Sequence, residues 1–187
     1  MRDFLQRLQR ALPEIEQWID ALHVRYRPDS IPVLEAGVPR LAEYFSAEVL
    51  EGARVAAVTE IPFPPVSACG LPEFESLAKM PMAGITFRDL YFVQPRLSSE
   101  SLHFHELVHV VQWITLGVPE FLLTYALGMA QCGYSASPLE AIASELQAGF
   151  EKGVKRASMT ETIAHHAIET RDNASVVFRA HGLRLGA

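Results

Sequence analysis

Residues 102–116, LHFHELVHVVQWITL, decide the fold because they combine helical periodicity with an almost unbroken apolar surface. Serines at positions 98, 99 and 101 are candidate N-caps just ahead of this stretch. Gly117 and Pro119 follow it as a stop signal. A helix that is apolar nearly all round is typical of a helix buried in the middle of a domain.

Two histidines and a glutamate interrupt this apolar surface. His105 and His109 are four residues apart, so both imidazoles project from one face of the predicted helix. Glu106 follows the first histidine and would lie beside an ion that the imidazoles share. Burying these three groups is unfavourable unless a partner compensates them, and a divalent cation would do so. The pattern predicts a metal site, and the alternative is a pair of core histidines satisfied by backbone carbonyls.

A catalytic zinc site needs a third protein ligand and an open fourth position. In residues 134–145, YSASPLEAIASE, Ser137 is a candidate N-cap and Pro138 a first helical residue. Glu140 then falls in the first turn of a second helix, where it either completes the ligand set or only complements the helix dipole. Glu145 is its rival, but it lies about 140° further round the helix, so the two carboxylates cannot serve one ion.

The motif HELVHVVQ at residues 105–112, followed by PLExxA at residues 138–143, resembles the gluzincin clan of zinc metallopeptidases. It is most similar to small bacterial gluzincin-like domains of unknown function. The resemblance covers residues 83–150, about a third of the chain. It implies that His105, His109 and Glu140 bind Zn²⁺ and that Glu106 is the general base acting on a zinc-bound water.

The chain departs from the clan at one position. Many members have an Asp four residues after the ligand Glu, where it holds a zinc histidine, and this chain has Ser144 there. Glu145 and Gln112 are the candidates for that supporting role.

Hydrolysis also needs a group that stabilises the oxyanion opposite the metal. Tyr134 is the first candidate because it lies six residues before Glu140, in the stretch that resembles the family. The other candidates are Tyr125, His165 and His166. His103 lies about 200° round the helix from His105 and is expected to be a surface or supporting residue.

The predicted fold class is α+β, a single mostly helical zincin-like domain over residues 1–187 with a small antiparallel sheet before the zinc helix. We expect N-terminal helices over 1–50, the sheet and a cleft-covering loop over 53–94, and the zinc-site helices over 98–155. A C-terminal helix and tail occupy 156–187, with a helical stretch over 159–170 and a further strand over 175–179.

Three β-rich runs predict the sheet, at residues 54–61, 83–87 and 90–94, the last two joined by a tight hairpin at Arg88 and Asp89. The gluzincin resemblance implies that an edge strand pairs with an extended peptide substrate, as in strand addition. The proline-rich residues 62–82 are expected to cover part of the cleft.

An apolar stripe recurs at helical spacing over residues 5–22, and Pro13 predicts either a kink or two abutting helices. The stripe is too short to favour a coiled coil, so we expect it to dock on the body of the protein. Residues 38–50 are predicted to form another helix.

Composition excludes several classes of function. The net charge is −6 and no Lys/Arg cluster occurs, which argues against a nucleic-acid partner. The longest apolar runs are too short for a membrane span, and the N-terminus lacks a signal-peptide core. Cys69 and Cys132 are expected to be reduced thiols in a cytoplasmic protein, with a single disulfide as the alternative.

The sequence therefore predicts a zinc-dependent hydrolase, first of all a small metallopeptidase that cleaves peptide bonds. The alternative from another class is a non-catalytic zinc-binding or protein-interaction module that keeps the site. Hydrolysis of a non-peptide amide is a third hypothesis. The presence of Glu106 favours an enzyme, because a structural zinc site has four protein ligands and no use for a base.

Overall fold

The fold is that of a computed structural model, which describes residues 1–155 and 159–186. The helices are α1 Arg2–Tyr26, α2 Ala47–Gly52, α3 Glu75–Ala78, α4 Glu100–Cys132, α5 Pro138–Glu151 and α6 Met159–Ala180. Short 3-10 helices are Val33–Glu35, Pro39–Glu43 and Pro72–Phe74, and the strands are β1 Ile31–Pro32, β2 Arg54–Ala57, β3 Gly84–Phe87 and β4 Leu90–Val93. The predicted α+β class is confirmed. The start of the predicted C-terminal segment, residues 156–158, and its last residue lie outside the described ranges.

The four strands form one mixed sheet in the order β1-β2-β4-β3. β3 and β4 form the predicted antiparallel hairpin, and Arg88 in its turn has a φ of 59°. The prediction of a wholly antiparallel sheet is wrong, because β2 pairs with β4 in parallel. The long connection after β2 carries the chain to the opposite edge of the sheet, where β3 lies. β2 therefore neighbours β4, the second strand of the hairpin, and not β3.

Two hydrophobic clusters cover the two faces of this sheet. Ala56 and Phe92 point toward α1 in one cluster, whereas Val55 and Tyr91 point toward α4 and α5 in the other. All four residues of β4 are buried, because this central strand is covered on both faces. β3 packs directly against α4, the helix that carries His105 and His109.

α1 is one continuous helix that includes Pro13. Its apolar stripe from Leu5 to Leu22 is buried in the cluster on its side of the sheet, which confirms that the helix docks on the body of the protein. Pro13 itself is exposed, so its ring and its missing N–H face solvent, where they disturb the packing least.

α4 turns sharply at Gly117, whose φ of 71° and ψ of 171° are not helical. Residues 16 apart in a straight helix would be separated by about 24 Å, yet the rings of His109 and Tyr125 lie 6.2 Å apart. Trp113 and Phe121, which also flank Gly117 symmetrically, stack at 3.9 Å. The predicted stop at Gly117 is therefore a sharp turn between two helical halves, residues 100–116 and 118–132.

α4 is also the one helix in the described part of the chain that is long and apolar enough to cross a membrane. Its qualifying window is 61% buried within the protein. Every window of 18 residues in α4 includes Gly117, so no such window is a straight helix. These features fit a core helix of a soluble protein.

Two other predictions of secondary structure are wrong. Residues 38–50 form a 3-10 helix and then α2, because Ser46 caps a new helix through the backbone N–H of Val49. Residues 175–179, predicted as a strand, belong to α6. Ala167, Ala174 and Phe178 are buried at helical spacing along α6, and this packing outweighs the β-propensity of the two adjacent valines.

Candidate metal centre

His105, His109 and Glu140 form a compact group between α4 and α5. The Nε2 atoms of the two histidines are 3.1 Å apart. Oε1 of Glu140 lies 3.2 Å from Nε2 of His105, and its Oε2 lies 3.3 Å from Nε2 of His109. Each residue turns one ligand atom toward a shared point, so the group can hold a metal ion.

The first turn of α5 brings the carboxylate to the histidines. Ser137 is the N-cap residue and Pro138 the first residue of α5, as predicted, and Glu140 is only 4% exposed. Glu145, the rival ligand, lies on an exposed part of the same helix and is not in the group. Ser144 is exposed as well, so it cannot take the supporting role of the clan's Asp.

The electrostatics of the group keep the carboxylate ionised. Burial would raise the pKa of Glu140, but the hydrogen bonds with His105 and His109 outweigh it and hold that pKa well below its usual range. Burial would lower the pKa of His109, but the same carboxylate outweighs it and raises the pKa to about 9. Glu140 is thus ready to act as an anionic ligand, and a proton on His109 balances its charge.

Gln112 joins the two helices that carry these side chains. Its Oε1 accepts a hydrogen bond from Nδ1 of His109 at 2.8 Å, which leaves Nε2 of that ring facing the shared point. Its Nε2 donates to the carbonyl of Leu139, the residue before Glu140, at 2.9 Å. Of the two predicted substitutes for the clan's Asp, Gln112 is the one that contacts a histidine of the group.

Glu106 lies beside the group without belonging to it. Its carboxylate is buried, and its Oε2 accepts a hydrogen bond from the hydroxyl of Thr86 at 2.6 Å. A Cβ at Gly84 would lie 2.5 Å from Oε1 of Glu106, so only glycine leaves room for this carboxylate. Burial raises the pKa of Glu106, which moves it toward the range where a carboxylate takes up a proton near neutral pH.

Two tyrosines complete the polar surroundings. The Tyr125 hydroxyl donates to Oε2 of Glu140 at 2.9 Å. Tyr134 is less buried, and its hydroxyl interacts with both Glu140 and Tyr125. Burial raises the pKa of both phenols, so both remain protonated donors. By contrast, His165 is exposed on α6 and His166 does not line the cavity beside the group.

His103 is neither on the surface nor next to the group. It is buried, where Nδ1 pairs with the hydroxyl of Tyr91 at 2.7 Å and Nε2 with that of Ser98 at 2.9 Å. These bonds connect the start of α4 to the central strand, so the expectation that His103 lies on the surface is wrong.

A cavity of about 140 Å³ opens beside the group. His105, Glu106, His109 and Glu140 line one part of it together with both tyrosines. The remaining walls are mostly apolar and come from α1, from the loop before β3, from β3 itself and from both halves of α4. The predicted covering loop, residues 62–82, thus lines the cavity with side chains such as Phe63 and Phe74.

β3 is the edge strand that borders this cavity. Hydrogen-bonded pairs alternate along an antiparallel ladder, and the bond from Gln94 N to the Ala83 carbonyl sets the phase. The backbone groups of Gly84 and Thr86 therefore point away from β4. The Thr86 carbonyl already accepts a hydrogen bond from Nε1 of Trp113 at 3.1 Å, which caps part of the edge.

No family model, curated protein or solved structure matches this chain. The gluzincin resemblance therefore still rests on its two motifs. Sequence reasoning missed Thr86 and Gly84 as contacts of Glu106. A glycine within a strand pattern often marks a close approach, and this was the one available signal for Gly84.

Proposed function

We propose that this protein is a zinc-dependent hydrolase of amide bonds, with the peptide bond as the first candidate, in line with its resemblance to gluzincins. One observation carries the proposal. The His105, His109 and Glu140 group leaves the buried carboxylate of Glu106 adjacent to it but outside it, and a purely structural site would have no use for that carboxylate.

The chemistry of the three side chains supports zinc as the metal. Their ligand atoms lie within 4.8 Å of one another. Two imidazoles and one carboxylate are also a donor set that catalytic zinc sites use, with the fourth position left for water or substrate.

Zinc bound there would polarise the scissile carbonyl and acidify water. Glu106 takes a proton from the attacking water and passes it to the leaving nitrogen. The oxygen of the water bonds to the carbonyl carbon, the C–N bond breaks, and a carboxylic acid and an amine result. Tyr134 donates its phenolic proton in a hydrogen bond to the oxyanion, since it is the less buried of the two phenols.

An extended peptide would lie along β3, where the backbone groups of Gly84 and the N–H of Thr86 point away from the sheet. This places the peptide beside Glu106, because Gly84 is in contact with that carboxylate. We further propose a cytoplasmic location, which the reduced state of Cys69 and Cys132 supports.

The Glu106→Gln variant tests the chemistry. Gln has the same shape and still accepts a hydrogen bond from Thr86, so folding and zinc content should stay nearly unchanged. Proton transfer should be lost, which lowers turnover by roughly 10²–10⁴-fold. Zinc content, melting temperature and turnover of a peptide library are measured for the wild type, for this variant and for Glu145→Gln as the control on α5.

Undiminished turnover by Glu106→Gln would refute the mechanism. Absence of turnover by the zinc-loaded wild type would favour the alternative, a non-catalytic zinc-binding or interaction module.

A further inference from the structure

The cavity beside the metal centre has a polar end and an apolar body. The polar groups gather around His105, His109 and Glu140, whose ligand atoms all lie within 4.8 Å of one another. The apolar body is lined by Leu8, Leu12 and Ile15 of α1 and by side chains across from them. A ligand that fits both parts has a polar head and a hydrocarbon body.

The volume limits the size of that hydrocarbon. Apolar cavities of about 150 Å³ stay dry and accept benzene, a molecule of six carbon atoms. The cavity here measures about 140 Å³ with its polar end included, so a group of about six carbons is the largest that it encloses. An unfilled apolar cavity weakens the folded state, and a hydrocarbon ligand would restore the missing contacts.

The shape favours a chain over a single ring. The three α1 residues that line the cavity span seven positions, which is about 10 Å along the helix axis. A second groove shares Phe74, Leu77, Met129 and Tyr134 with the cavity, so the two are adjacent. Met1 and Met80 line the second groove as well. An elongated apolar group can therefore extend from the centre toward the surface.

The edge of β3 is less well suited to an extended peptide. Its Thr86 carbonyl is occupied by the indole of Trp113, which removes one of the main-chain acceptors that strand addition would use. A hydrocarbon chain needs no such acceptor, since its affinity comes from apolar burial.

We propose that the substrate is an amide whose acyl group is a hydrocarbon chain of about six carbons, seated in this cavity with its carbonyl at the metal centre. This proposal rests on the proposed hydrolase function and names its substrate class. Water adds to the acyl carbon, the C–N bond breaks, and the products are the chain's carboxylic acid and an amine.

Binding is tested first, because it does not depend on turnover. Acetamide, butanamide and hexanamide are titrated into the full chain, with and without zinc, and the fluorescence of Trp113, which lines the cavity, is followed. Each buried methylene strengthens binding by roughly fourfold, so hexanamide should bind on the order of a hundredfold more tightly than acetamide. Equal affinities for the three amides would overturn the proposal.

Variants on α1 test where the hydrocarbon chain of the ligand binds. Leu12→Trp fills the cavity and should remove the increase in binding affinity with the length of the amide. Val24→Trp, on the exposed side of the same helix, should keep that increase. Leu12→Ala enlarges the cavity and should move the optimum to longer amides, which keeps the test decisive if the Trp variant does not fold. An unchanged chain-length profile in Leu12→Ala would overturn the placement.

Hydrolysis separates the two proposals. The acetyl, butanoyl and hexanoyl para-nitroanilides are compared with phenylalanine-containing peptides on the zinc-loaded chain, and kcat/KM should be highest for the hexanoyl anilide. A preference for the peptides would overturn the acyl chain as occupant while leaving a hydrolase. Tight binding of hexanamide without any hydrolysis would refute the hydrolase function, while it would still support a hydrocarbon chain as the occupant of the cavity.

Discussion

Gln112 shows how one side chain fixes the geometry of the metal centre. It is fully buried, accepts from His109 and donates to the backbone of α5, so both of its amide groups are satisfied. The bond to Nδ1 orients the imidazole and, once the ring loses its second proton, selects the tautomer in which Nε2 can bind a metal. Gln112 therefore orients the His109 ring and also links α4 to α5.

Replacing Gln112 by Ala should weaken metal binding by about 10–100-fold, the usual cost of losing such a supporting partner. The variant frees the His109 ring to rotate and leaves the Leu139 carbonyl without its donor. Zinc affinity is measured by competition with a chelator, and Gln131→Ala, at an exposed position of the same helix, is the control. An affinity for zinc equal to that of the wild type would show that Gln112 has no part in the site.

The residues of the candidate metal group could be predicted at the residue scale, because their grouping depends on local spacing. Four residues on a helix determine that His105 and His109 share a face, and the Ser137-Pro138 start places Glu140 in a first turn. The contacts of Glu106 with Thr86 and Gly84 could not be predicted in this way. They depend on how β3 packs against α4, which no local pattern encodes.

At the scale of elements, the turn in α4 brings Tyr125 to the centre. Phe121 stacks on both Trp113 and Tyr125, so the aromatic side chains on the two sides of the turn pack together. The sequence signal of Gly117 and Pro119 was sufficient to predict a break, but a break alone does not specify an angle. The angle follows from the aromatic packing across the turn.

Gly117→Ala should destabilise the protein by about 1–3 kcal/mol, the cost of a side chain in a conformation that is essentially restricted to glycine. A Cβ at this position would meet no atom within 4 Å, so the effect comes from the backbone alone. Urea denaturation measures the free energy of unfolding, with Gly52→Ala as the control, since a Cβ there also meets no atom. Equal stability of Gly117→Ala and the wild type would contradict the non-helical backbone conformation at Gly117.

At the scale of the whole molecule, the sequence predicted the α+β class and the docking of α1, because both follow from apolar periodicity. It did not predict the parallel pairing of β2 with β4 or the helical state of residues 175–179. Both errors concern contacts between distant segments, where packing against other layers outweighs local propensity.

The charge balance of the buried centre predicts a pH dependence for the whole protein. His109, with a pKa raised to about 9 by Glu140, holds a proton that must leave when a metal binds. Zinc affinity should therefore increase with pH, by up to about tenfold per unit, and level off above about pH 9. Chelator competition between pH 6 and pH 9.5 measures it, and an affinity independent of pH over this range would contradict the proton on His109.

The metal content of the purified chain tests the central claim most directly. Zinc is quantified per chain for the wild type and for the His109→Ala, Glu140→Ala and Glu145→Ala variants. We expect one zinc per chain in the wild type and in Glu145→Ala, with a sharp loss in His109→Ala and weakened binding in Glu140→Ala. A wild type that binds no zinc would refute the metal site, and a Glu140→Ala variant with full affinity beside a Glu145→Ala variant without it would refute the assignment of Glu140.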